Sequence, residues 1–143
     1  MTNQLFEKIV IATDGSERNR AAVEEALQIG RVCGSTVTAA YVIDLSAFES
    51  ASADIVIRDT WAVIQKEADA ALARVRTMAD GVNLETVILE GKPAAEIVKF
   101  AAENKSDLIV IGTQGKRGLE RLLLGSVAEQ VVRSAPCKVL VVK

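Results

Sequence analysis

Lys8-Ile-Val-Ile-Ala-Thr13-Asp14-Gly15-Ser16 is the stretch from which the fold can be read. Its apolar residues are consecutive, not alternating, and Ile9, Val10 and Ile11 are β-branched. A strand of this kind is buried on both faces, the condition of a strand inside a parallel sheet. It stops at Asp14-Gly15-Ser16, residue types that favour a turn. Outward from here, short β-branched runs alternate with longer helical patterns. Ala22, Val23, Ala26, Leu27 and Gly30 recur at helical spacing, and Gly34 is placed to end that helix. Thr36–Ile43 reads as the second strand, Leu84–Leu89 as the third, Leu108–Ile111 as the fourth and Lys138–Val142 as the fifth. Ile57, Trp61, Ile64, Ala68, Ala71, Val75 and Met78 form one buried stripe on a long helix between strands two and three. Gly91-Lys92-Pro93 opens the third helix, since proline is tolerated in a first turn. The last helix runs from about Ser126 to Ser134 and is blocked from continuing by Pro136.

Strand–helix alternation repeated this often demands right-handed crossovers and helices on both faces of the sheet. The expected fold is therefore α/β: one doubly wound, five-stranded parallel sheet in the order 3-2-1-4-5, forming a single domain over residues 1–143. Ligands of such sheets sit at the carboxyl ends of the strands where the winding reverses, here between strands one and four. This selects Asp14-Gly15-Ser16 and the residues from Gly112 onward.

Composition removes several functions. Among 143 residues, 17 are basic and 19 acidic, a formal net charge of -2, so there is no basic field to draw the chain onto nucleic acid or an anionic membrane. Neither a leader pattern nor an apolar run of about 18 residues is present, which predicts a cytoplasmic protein. Cys33 and Cys137 stand in no metal-type or C-x-x-C pattern and are expected to pack as small apolar residues. The absence of histidine removes the usual neutral-pH base and the Ser-His and Cys-His nucleophile systems. An acidic pair for a receiver domain, a phosphate loop after strand one for a flavodoxin, and a Walker loop are all missing.

Gly112 ends strand four, Gly115 follows, and nine residues separate Gly115 from Gly125-Ser126 at the start of the last helix. Glycine admits close approach of backbone N–H groups to an anion, and a helix start adds unpaired donors. On this reading Gly125, Ser126 and Val127 offer N–H groups to phosphate oxygens, with Lys116 and Arg117 supplying charge at the mouth. The same residues admit a purely structural reading: the glycines as turns, and Ser126 with Glu129 as a capping box. Asp14 likewise can make a turn with Gly15, and Asp14 or Ser16 can cap the first helix.

The run Gly112-Thr113-Gln114-Gly115, nine residues, then Gly125-Ser126, resembles the G-x2-G-x9-G-[S/T] motif of ATP-binding universal stress proteins. The resemblance spans the chain through Ile9–Ser16, Tyr41–Asp44, Asp107–Gly112 and Pro136–Val142. It implies that Gly112, Gly115, Gly125 and Ser126 line ribose and phosphates, and that Val42 meets adenine through its backbone. Asp14 would serve the base and ribose side or assist a divalent metal, Mg or Mn, with the phosphates. Thr113, Gln114, Lys116 and Val127 are further candidates at positions the pattern leaves open. The family pairs subunits through the last strand, which implies a homodimer along Val139–Val142. Three functions stay open: ATP as a bound effector in a stress-response or regulatory role, slow or partner-stimulated ATP hydrolysis, and a nucleotide-free dimerisation module. The absence of a dedicated base favours the first.

Overall fold

The computed structural model describes residues 5–48, 54–113 and 124–143. The elements follow as β1 (Lys8–Ala12), a 3-10 turn (Glu17–Asn19), α1 (Arg20–Cys33), β2 (Thr36–Asp44), a second 3-10 turn (Leu45–Phe48) and α2 (Asp54–Met78). Then come β3 (Asn83–Gly91), α3 (Pro93–Glu103), β4 (Leu108–Gly112), α4 (Ser126–Ser134) and β5 (Lys138–Val142). All strands pair in parallel, in the order β3-β2-β1-β4-β5. The expected fold class and strand order are those observed.

The consecutive apolar residues of β1 divide between two cores, as the period of two requires. Ile9 and Ile11 pack with α1 and α2 through Ala22, Ala26, Leu27, Ala68 and Val75. Val10 points the other way and packs with α3 and α4 through Ala94, Ile97, Ala128 and Val131. Burying a side chain such as Leu27 or Ile97, each 1% exposed, contributes about 2 kcal/mol. Trp61, Ile64, Ala68, Ala71, Val75 and Met78 all join the first core, so the expected stripe is intramolecular. Ile57 belongs to the helix, but its side chain lies outside the described set. Gly34 ends α1 in the left-handed conformation at φ 68°. Pro93 occupies the first turn of α3.

Element ends differ from the sequence reading where tertiary pairing sets them. Residue 13 lies beyond β1, and α1 begins at Arg20 after a 3-10 turn instead of directly after Ser16. β3 runs from Asn83 to Gly91, longer than Leu84–Leu89, because it pairs with β2 at every position from Thr36 to Asp44. β1 pairs with β2 only from Thr36 to Ala40. The last four residues of β2 therefore rise past the end of β1.

Candidate functional site

A cavity of about 880 Å³ opens at the carboxyl ends of the strands, between the starts of α3 and α4. That is near the upper end of the roughly 300–1,000 Å³ usual for small-ligand sites. Each wall follows from local sequence.

At the end of β1 the chain turns sharply at Gly15, whose φ of +76° suits glycine. Asp14 stabilises this turn with its own side chain: Oδ1 accepts the Ser16 N–H at 2.9 Å and the Ser16 hydroxyl at 2.6 Å. The turn reading of Asp14 is thus correct, and the capping reading is not. Ser16 precedes the 3-10 turn without a side-chain cap bond, and α1 begins behind Asn19, which also makes none. Helix α2 holds the turn from outside, with Arg74 donating to the Gly15 carbonyl at 2.9 Å. From below, Asn19 Nδ2 donates to the Ala12 carbonyl at 3.2 Å. Asn19 is 5% exposed and lines the cavity, and its Oδ1 is buried without a hydrogen-bond partner among the described residues. That leaves a polar acceptor beside the cavity in need of a donor.

The overrun of β2 shapes the middle wall. Thr13 N–H donates to the Ala40 carbonyl at 3.0 Å, so the main-chain groups of Ala40 face β1. With the alternation of a parallel ladder, the N–H and C=O of Val42 face the same way, where β1 has already turned off at Asp14. Among the described residues neither group has a backbone partner across that gap. The Val42 edge presents one donor and one acceptor side by side at the cavity.

The third wall joins β4 to α4. Gly112 pairs with Val142 on β5, and Thr113 continues the ladder by donating its N–H to the Val142 carbonyl at 3.1 Å. The Thr113 carbonyl in turn accepts the Gly125 N–H at 2.6 Å, clasping the two ends of the segment between them. This corrects two sequence expectations. The Gly125 N–H is spent on the clasp and is not offered to a ligand. The Ser126–Glu129 capping box does not form: Gly125, not Ser126, is the N-cap, its carbonyl accepts the Glu129 N–H at 2.9 Å, and the Glu129 carboxylate binds Arg133 at 2.7 Å. The cap lies one residue earlier than expected, so Ser126 is exposed in the first turn. With Val127 and Ala128 it presents N–H groups that have no helical carbonyl to bind.

Asp14, Val42, Gly112, Thr113, Gly125, Ser126 and Val127 all line this one cavity. Gln114, Gly115 and Lys116 lie outside the described residues. Sequence reading missed Asn19, Asp44, Glu67 and Lys92, which also line it. The only available signal for Lys92 was its place in Gly91-Lys92-Pro93 at the end of a strand. No group of three metal-ligating side chains exists among the described residues.

A family model described as the universal stress protein family matches residues 5–143. The chain belongs to the universal stress protein family. A curated relative, universal stress protein MJ0531 of Methanocaldococcus jannaschii, is 48% identical over 97% of this chain and 83% of its own length. Among solved family structures, the universal stress protein UspA from Lactobacillus plantarum superposes with a TM-score of 0.85 at 32% identity, covering 96% of this chain and 97% of its own. Two others carry nucleotides. A universal stress protein in complex with cAMP has a TM-score of 0.69 at 27% identity and 96% coverage of both chains. The Archaeoglobus fulgidus protein in complex with dAMP has a TM-score of 0.67 at 25% identity, covering 97% of this chain and 99% of its own. In this universal stress protein the glycine-bearing segment that follows β4 has the clasped residues Thr113 and Gly125 as its described ends.

Proposed function

We propose that this universal stress protein binds an adenine nucleotide, ATP foremost, as an effector in a regulatory or stress-response role. The observation that carries the reading is the open Val42 edge, set across one cavity from the first-turn N–H groups of α4, which have no partner among the described residues. A neighbouring donor and acceptor match N1 and N6 of adenine, while helix-start N–H groups suit phosphate oxygens. Ser126 adds its hydroxyl to the phosphates, Gly112 and Thr113 border the ribose, and Val127 flanks the phosphate path. Gly115 is assigned to the phosphates with Gln114 and Lys116 beside it, and the orphaned Asn19 acceptor suits a ribose hydroxyl or an ordered water. Mg or Mn with the phosphates would be held through Asp14. The complexes of family members with cAMP and dAMP support an adenine ligand.

The absence of histidine argues for retention of the nucleotide over its consumption. We further propose that two copies pair along β5. Titration calorimetry of nucleotide-stripped protein tests the binding: heat with ATP is expected, and no heat with ATP, ADP or AMP would refute it. Phosphate release no faster than in buffer, with protein in excess, is expected for an effector.

A further inference from the structure

We infer that Lys92 and Asp44 form a second base-reading edge that recognises N7 and the outer N6 hydrogen of adenine. The inference rests on the nucleotide reading above. Asp44 shares a strand face with Ala40 and Val42, whose side chains pack toward α3 and α4. Lys92 is the N-cap residue of α3, the helix packed on that face, and Asp44 is the register partner of Gly91, the residue before it. Both line the cavity that Val42 lines. Asp44 Oδ1 accepts the Ser46 N–H at 2.9 Å, which fixes the carboxylate, while Oδ2 has no partner among the described residues. The Lys92 ammonium likewise has no partner among the described residues, and the two side chains form no ion pair with each other.

Strand direction orders the contacts. The N–H of Val42 precedes its C=O along β2, so a base that gives N1 to the first and N6 to the second lays N1, N6 and N7 out toward the strand's carboxyl end. Asp44 stands at that end, with Lys92 beside it. The second hydrogen of N6 donates to Asp44 Oδ2, and Lys92 Nζ donates to N7. An ammonium only donates and a carboxylate only accepts, so the pair is matched to this edge of adenine. Guanine and hypoxanthine carry an oxo group where Asp44 needs a donor.

Calorimetry with ATP and 7-deaza-ATP, which lacks the N7 acceptor, tests this on the full chain. Wild type should bind 7-deaza-ATP about tenfold more weakly than ATP, the size expected for losing one hydrogen bond to a charged group. In Lys92→Met, ATP should weaken about tenfold and 7-deaza-ATP remain unchanged, so that the ratio falls to about one. Lys92 is exposed, and an unchanged melting temperature verifies the fold of the variant. Equal binding of the two ligands by wild type overturns the inference and leaves the nucleotide reading intact. So does a parallel loss of both in Lys92→Met, which would mark Lys92 as a general attractor of phosphate. If wild type binds no ATP, both readings fall together.

Discussion

Ser126 stands one residue inside the helix that it was expected to cap, and that displacement separates its two roles. Because its side chain caps nothing, Ser126→Ala should change stability by less than about 0.5 kcal/mol, where a lost cap would cost about 1 kcal/mol. The same variant should bind ATP about tenfold more weakly, read by calorimetry alongside a denaturant titration. Gly15 behaves oppositely. A Cβ there would lie 2.9 Å from Ala71 Cβ on a backbone at φ +76°, so Gly15→Ala should cost about 1–3 kcal/mol in thermal unfolding. Cys137 is half-buried, and burial, then the Asp107 carboxylate, pushes its thiol pKa up, against smaller opposing effects of Lys138 and a backbone hydrogen bond from Ile109. The folded state thus favours the neutral thiol. Its contribution to stability is complete below the unfolded thiol pKa of about 8.5 and is lost as pH rises through the higher folded value. Unfolding titrations between about pH 7 and 10 should show an alkaline decline that flattens in Cys137→Ser.

At the scale of elements, α1 lies so close to β2 that a Cβ on Gly30 would come 2.6 Å from Val37 Cγ2. Gly30→Ala gains helix propensity of about 1 kcal/mol but must push against a fully buried valine. A net loss of stability is expected in thermal melts. Most elements were legible because their apolar residues had no competing period: β1 reads as doubly buried, and the α2 stripe as one face. What was not legible is set by partners distant in sequence. Nothing local in Tyr41–Asp44 says that β1 will stop short beside it, and that mismatch opens the Val42 edge. Gly91-Lys92-Pro93 reads correctly as a helix start, which conceals that Lys92 also borders the cavity. The cap at Gly125 was misplaced by one residue because Ser126 and Glu129 satisfy the capping-box spacing, while the real partner of Glu129 is Arg133, one turn on.

At the scale of the molecule, β5 is an edge strand whose Val142 carbonyl faces β4. By alternation the N–H and C=O of Val139 and Val141 face outward. Val141→Pro removes an outward donor and leaves the β4 ladder intact, a substitution that edge positions accept. Light scattering should find a dimer for wild type and a monomer for Val141→Pro, with circular dichroism unchanged; a wild-type monomer would refute pairing. The clasp between Thr113 and Gly125 has a different reach. It ties together the two ends of positions 114–124 with one main-chain bond that asks nothing of the side chains between them. Doubling the length of such a tethered span adds only about 0.6 kcal/mol of closure entropy. Descendants of one ancestor can therefore exchange this span while inheriting an unaltered frame.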